Sequence, residues 1–146
     1  MKKKIAIIGQ GYVGLPLAIE FGKKYPTVGF DINVNRIEEL KKGIDHTNEA
    51  SLEDLRITNK LVFSAKINDI EDCNIYIVTV PTPIDEFKTP DLSSLRNASK
   101  MLGSVLRKGD IVIYESTVYP GCTEEICVPI LEKASNLIFN THFYCG

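Results

Sequence analysis

Residues 5–18, "IAIIGQGYVGLPLA", begin with an apolar run that leads into three closely spaced glycines. An unbroken apolar run predicts a strand buried on both faces of a parallel sheet, here over Lys4–Ile8. The apolar residues after the glycines recur at helical spacing: Val13, Leu17, Ala18 and Phe21. The stretch therefore predicts a strand, a tight turn and a helix.

The same alternation continues along the chain. Further strands are predicted at Thr27–Asp31, Leu61–Phe63, Ile75–Val80 and Ile111–Tyr114, and in the tail near Phe139–Cys145. Helices are predicted after the caps Asn33 and Asp91 and from Thr123, the last one kinked or split at Pro129. Residues 45–59 are predicted to be a loop with one helical turn at most. This order predicts one α/β domain, a doubly wound, mostly parallel sheet with helices on both faces and right-handed crossovers.

The three glycines have a steric and a chemical interpretation. In a dinucleotide fingerprint Gly9 permits the tight turn, Gly11 lets the backbone approach a pyrophosphate, and Gly14 lets helix and strand pack closely. The helix start then offers free N–H groups and a positive dipole end to the anion. The alternative is a turn with a purely structural role. The buried strand before the motif and the amphipathic helix after it favour a Rossmann-like dinucleotide site.

An acid at the predicted end of the second strand supports the same interpretation. Asp31 is placed where a carboxylate accepts both hydroxyls of the adenosine ribose. Its charge would repel a 2'-phosphate, so NAD is favoured over NADP. Arg36 lies one helical turn further on and has two interpretations, a cover for the adenine or ribose and a solvated helix charge.

Two other loops leave the carboxyl ends of predicted strands, the rim where open α/β sheets bind ligands. In Val80–Pro83 two prolines flank Thr82, which fits either a hydroxyl held near a cofactor or a rigid turn. In Glu115–Gly121 small hydroxyl residues, Thr117 among them, fit either a nicotinamide site or local hydrogen bonds to the backbone. The spacing does not separate these alternatives.

Composition excludes several other classes. With 146 residues, 44% apolar side chains and a net charge of -2, the chain is long enough for one core and has no basic surface for nucleic acid. The apolar stretch after the N-terminal lysines is too short for a secretory signal, and no run is long enough for a membrane span, so a cytoplasmic protein is expected. Four cysteines and two histidines show no metal-ligand spacing, and the thiols are expected to be reduced and mostly buried.

Taken together, "GQGYVGLPLA", "FD" at the second strand, "VPTPID" and "ESTVYPGCTEE" resemble, in that order, the nucleotide-sugar 6-dehydrogenases. These enzymes include the UDP-glucose and UDP-N-acetylhexosamine dehydrogenases. The forms "LPLA" and "ESTVYPG" are more similar to the branch that acts on UDP-N-acetylmannosamine or UDP-N-acetylglucosamine. The resemblance implies oxidation of the sugar C6 alcohol to a carboxylate with two NAD.

The resemblance also implies roles for individual residues. Tyr12 and Val13 would contact the pyrophosphate through their backbone, and Asp31 and Arg36 the adenosine ribose. Thr82 would approach the nicotinamide ribose. Thr117 would be the catalytic residue beside the reacting C6, where it helps to hold a water or the oxygen intermediate.

Several segments of the family are not present in residues 1–146. Family members continue into an S-P-E-R segment, a linker helix that contributes to a homodimer, and a C-terminal UDP-binding domain with the nucleophilic cysteine. Neither Cys122 nor Cys145 lies in that cysteine's motif. The chain is therefore interpreted as an N-terminal NAD-binding domain, expected to bind NAD weakly and to oxidise no UDP-sugar alone. The alternatives are a hydroxyacid-type dehydrogenase and a nucleotide-sensing module without chemistry.

Overall fold

A six-stranded sheet, parallel throughout, forms the centre of the computed structural model, which describes residues 2–146. The strand order is β3-β2-β1-β4-β5-β6. The strands are β1 (Ile5–Ile8), β2 (Thr27–Phe30), β3 (Leu61–Ser64), β4 (Ile75–Val78), β5 (Ile111–Tyr114) and β6 (Tyr144–Cys145). The order reverses between β1 and β4, so the loops after these two strands flank the point where doubly wound sheets bind ligands.

Helices cover both faces of the sheet, as predicted. They are α1 (Gly14–Gly22), α2 (Val34–Lys41), α3 (Leu52–Ile57), α4 (Ser93–Gly103) and α5 (Val128–Ser135), with a 3₁₀ turn at Ile67–Ile70 and a π-helix at Thr123–Cys127. Side chains alternate across β1, so Ile5 and Ile7 pack with Ala18 of α1. Ala6 and Ile8 belong to the larger core with Leu102 and Leu131 of α4 and α5. Both faces of β1 are buried, which explains its unbroken apolar sequence.

Most predicted elements are confirmed with small shifts of their bounds. Asn33 caps α2 as predicted, since its side chain accepts a hydrogen bond from the amide of Arg36. β4 ends at Val78 rather than Val80, which places Thr79 in the loop. Asp91 is not the N-cap of α4, because that position is Leu92; Asp91 instead accepts from the amide of Ser93.

The prediction for residues 45–59 missed a complete short helix. Ser51 and Asp54 form a reciprocal capping box that starts α3, the pairing by which a short helix satisfies its first amides. The predicted last helix is split, with a π-helix up to Cys127 before α5. Pro129 lacks the N–H that would continue the regular ladder, which accounts for the split. The predicted tail strand shrinks to Tyr144–Cys145.

None of the helices described within residues 2–146 is both long enough and apolar enough to cross a membrane.

Candidate functional site

The turn after β1 requires glycine at its first and last positions. Gly9 has φ +99°, a backbone conformation that residues with a side chain rarely adopt. A Cβ on Gly14 would lie 1.7 Å from the carbonyl oxygen of Gly9 and 2.5 Å from Oγ1 of Thr79. The steric interpretation of the motif therefore holds for these two glycines.

Gly11 is different, because nothing in the protein requires a glycine there. A Cβ added to Gly11 would meet no atom within 4 Å, and its φ lies outside the positive range. The next two residues are also exposed, Tyr12 by 70% and Val13 by 50%. A structural turn does not account for this glycine, whereas a ligand lying against the backbone does.

The N-terminus of α1 follows directly and has no cap. No side chain caps it, and its first turn holds no acid. Among residues 2–146, no protein group accepts a hydrogen bond from the backbone amides of residues 11–14. By contrast, Asn33 caps α2 and Ser51 caps α3. The free amides and the dipole of α1 make its N-terminus a suitable place for an anion.

Asp31 lies beside this turn and is held there by two backbone amides. Its Oδ2 accepts a hydrogen bond from the amide of Gln10 at 2.9 Å, and its Oδ1 accepts from the amide of Asn33 at 2.9 Å. A carboxylate offers about four lone-pair positions. Two remain for a diol, so the predicted ribose contact fits the observed geometry.

Arg36 is not a solvated helix charge, and that alternative is wrong. The residue is only 5% exposed, and its Nε donates to the carbonyl oxygen of Gln10 at 2.8 Å. Its Nη1 lies 2.8 Å from Oδ1 of Asp45, whose side chain is fully buried. Burial raises the pKa of Asp45, but hydrogen bonds from Thr47, Ala50 and Arg36 outweigh that effect and hold the pKa far below its usual range.

The loops that follow β4 and β5 are tied to each other. The Thr82 hydroxyl donates to the carbonyl oxygen of Thr117 at 2.9 Å, and the Ser116 hydroxyl donates to that of Val80 at 2.9 Å. Both bonds reach the backbone of the other loop, whereas the alternative for Glu115–Gly121 predicted bonds to local backbone groups. Each oxygen keeps lone pairs that can accept from a ligand, and the side chain of Thr117 is exposed at the same rim.

Sequence reasoning missed three residues that shape the site. Thr79 donates to the carbonyl oxygens of Ile8 and Gly9 at 2.9 and 2.8 Å, which fixes the start of the turn. The Gln10 side chain is fully buried beneath the turn and donates to the carbonyl oxygen of Ile7 at 3.0 Å. Asp45 holds Arg36. Only Asp45 had a signal, because Asp side chains commonly accept from the backbone amide two residues further on, as Asp45 does from Thr47.

The cysteines are free thiols, three of them buried and Cys145 partly buried. Burial raises the pKa of Cys73 and of Cys145 to about 12, so both are protonated near neutral pH. Within residues 2–146, no three His, Cys, Asp or Glu residues lie together in a way that could hold a metal ion. The site itself offers free backbone amides at the start of α1, the carboxylate of Asp31 and small hydroxyl groups at the rim.

Comparison with known proteins identifies the same kind of domain. Residues 3–145 match the model of the UDP-glucose/GDP-mannose dehydrogenase family, NAD binding domain. The chain is 60% identical to a UDP-N-acetyl-D-glucosamine 6-dehydrogenase of Pseudomonas aeruginosa over 98% of its own length and 34% of that protein. A relative of the same description from Salmonella typhi is 59% identical with the same coverage.

A solved structure shows the same architecture. The UDP-D-ManNAc dehydrogenase of Pyrococcus horikoshii superposes with a TM-score of 0.88 at 35% identity, over 97% of this chain and 35% of that one. The chain thus spans about a third of the length of the proteins that it matches. The free amides of α1, the open space at Gly11 and the acid at the end of β2 agree with the family match. The chain therefore belongs to the UDP-glucose/GDP-mannose dehydrogenase family, of which it is the NAD-binding domain.

Proposed function

We propose that this chain binds NAD with the pyrophosphate against the N-terminus of α1 and the adenosine ribose on Asp31. The observation that carries the proposal is that position 11 is a glycine although the protein leaves room for a side chain there. A Cβ on Gly11 would meet no atom within 4 Å. Backbone amides of Tyr12 and Val13 would donate to the pyrophosphate, since no protein group accepts from them among the described residues. Gly9 and Gly14 contribute by fixing the turn.

The nicotinamide half would extend toward the loops after β4 and β5. Thr82 would accept from the nicotinamide ribose, because its own hydrogen is already donated to Thr117. NAD supplies a hydride acceptor when it is bound. The exposed hydroxyl of Thr117 would hold a water or the substrate oxygen beside the reacting carbon, which is the role that the resemblance gives it.

The parent protein, in this proposal, oxidises the C6 alcohol of a UDP-N-acetylhexosamine to the carboxylate with two NAD. The 60% identity to a UDP-N-acetyl-D-glucosamine 6-dehydrogenase supports this substrate class. Residues 1–146 would then form the N-terminal domain, and a linker helix and a UDP-binding domain would follow. The resemblance supports a homodimeric parent, which this proposal assigns to the cytoplasm.

Calorimetry on the 146-residue chain tests the cofactor, with NAD, NADP and ADP-ribose as ligands. We expect weak binding of NAD, at least about tenfold weaker binding of NADP, and no NADH from UDP-N-acetylglucosamine. Equal binding of NAD and NADP would refute the role of Asp31. Sugar oxidation by residues 1–146 would refute the proposal that the reaction also needs the UDP-binding domain. Tight binding of ADP-ribose with no added affinity from the nicotinamide would favour a nucleotide sensor.

A further inference from the structure

Arg36 and Asp45 form a buried ion pair that touches the glycine turn at one atom. Nε of Arg36 donates to the carbonyl oxygen of Gln10 at 2.8 Å. Nη1 of Arg36 lies 2.8 Å from Asp45, and the two side chains are 5% and 0% exposed. We call these two residues the clamp.

The clamp is itself held rigidly. Asp45 accepts hydrogen bonds from the amides of Thr47, Glu49 and Ala50 at 3.0, 2.7 and 2.9 Å. These bonds fix the carboxylate, and the carboxylate fixes the guanidinium in one orientation. Nη2 of Arg36 is 3.4 Å from Oγ1 of Thr47, so each of its nitrogens faces a protein group.

The clamp also determines where the next amide points. All peptide bonds in residues 2–146 are trans, so the carbonyl of Gln10 and the N–H of Gly11 point in opposite directions across one planar unit. Because the carbonyl points to Arg36, the N–H of Gly11 points away from α2. Gly11 has open space around it, and its amide has no acceptor among the described residues.

We propose that Arg36 is a positioning residue, and that the clamp aims the Gly11 amide at the pyrophosphate of the cofactor. This role differs from a direct contact of Arg36 with the adenosine ribose, because it acts through the carbonyl oxygen of Gln10. The inference rests on the proposed binding of NAD at this turn. The clamp would act on any nucleotide that contains a pyrophosphate. It would act through one backbone N–H, that of Gly11.

The test compares two ligands across three variants of the 146-residue chain. ADP-ribose has both the ribose and the pyrophosphate, whereas adenosine has only the ribose. Arg36→Met removes the donor to Gln10, and Arg36→Lys keeps the charge without the Nε–H. Lys41→Met is the matched control, because it removes an exposed positive charge from the same helix.

We expect Arg36→Met and Arg36→Lys to weaken ADP-ribose by about tenfold, the loss of one charge-assisted contact, and to change adenosine binding less than about twofold. Lys41→Met should change neither by more than about twofold. An equal loss for both ligands would overturn the inference, because it would show direct contact with the adenosine half. Unchanged binding of both would also overturn it. If the unmodified chain binds neither ligand, the proposed function itself fails.

A measurement on the unmodified chain covers the case in which an Arg36 variant does not fold. Inorganic pyrophosphate is titrated into ¹⁵N-labelled protein, and the amide signals of residues 9–15 are followed by NMR. The Gly11 amide should shift downfield with those of Tyr12 and Val13. If the Gly11 amide signal does not shift while those of Tyr12 and Val13 do, the clamp does not aim the Gly11 amide at the anion.

Discussion

The backbone amide of Gln10 donates a hydrogen bond to Oδ2 of Asp31 at 2.9 Å, so the acid after β2 is tied directly to the glycine turn after β1. The second oxygen of Asp31 is held by the amide of Asn33. The carboxylate is therefore oriented before any ligand arrives, which reduces the entropic cost of binding. Two strands that are neighbours in the sheet thereby present free backbone amides and a carboxylate side by side.

Asp31→Asn tests the diol site. The amide keeps the size of the side chain but lacks the charge, so NAD affinity should fall by about tenfold, as expected for a charge-assisted hydrogen bond. The ratio of NADP to NAD affinity should rise, because repulsion of the 2'-phosphate is removed. Calorimetry measures both, with Glu38→Gln on the exposed face of α2 as the control. An unchanged ratio would argue against Asp31 as the selectivity residue.

Gly14→Ala tests the close approach of α1 to the turn. Alanine normally stabilises a helix relative to glycine, by about 1 kcal/mol. Here the added Cβ would lie 1.7 Å from the oxygen of Gly9, so we expect a loss of about 3 kcal/mol in the free energy of unfolding. Urea denaturation gives the sign. A stabilised Gly14→Ala protein would mean that the helix does not pack as described.

Thr79→Val tests the hydroxyl that fixes the start of the turn. Valine keeps the shape but leaves the carbonyl oxygens of Ile8 and Gly9 without this donor, so a loss of about 1 to 2 kcal/mol is expected. Thr89→Val is the control because Thr89 is exposed in the loop after β4. Equal unfolding midpoints for the two variants would show that the Thr79 hydroxyl is dispensable.

The Asp45 carboxylate predicts a pH dependence of stability. Its pKa in the folded protein lies below the ordinary value of 3.8, so the folded state favours the charged form. The stabilisation is fully present above pH 3.8 and is lost as the pH falls toward the folded pKa. The difference in unfolding free energy between the unmodified chain and Asp45→Asn should therefore be constant from neutral pH to about pH 5 and shrink in stronger acid.

The control for this titration is Glu53→Gln, which changes an exposed acid of α3. The difference for Asp45→Asn is read relative to the difference for this control. A difference for Asp45→Asn that grows in acid would mean that the carboxylate is not paired as the structure shows.

The sequence predicted the parts of this molecule that local patterns encode. The apolar run of β1 predicted a buried strand, the glycines predicted the turn, and Asn33 predicted a helix cap. Each of these patterns acts on residues near it in the chain. The acid at the end of β2 was also predictable, since parallel neighbours end at the same edge of a sheet.

The clamp was not predictable in the same way. In the chain, Arg36 lies within α2 and Asp45 lies after its end. Their contact therefore depends on how residues 44–50 fold back. That local fold is set by hydrogen bonds from three backbone amides to one carboxylate. The spacing of apolar residues in the sequence does not predict such bonds. The capping box of α3 has a local signature, but the surrounding polar residues have no helical period to accompany it.

The binding of a pyrophosphate against the open backbone of Gly11 is tested with Gly11→Ala, by calorimetry with NAD and by urea denaturation. The added Cβ meets no protein atom, so the account predicts a free energy of unfolding within about 1 kcal/mol of the unmodified chain. It also predicts that NAD affinity falls by at least about tenfold, because the methyl group occupies the space for the pyrophosphate. A Gly11→Ala protein that binds NAD as tightly as the unmodified chain would contradict the account.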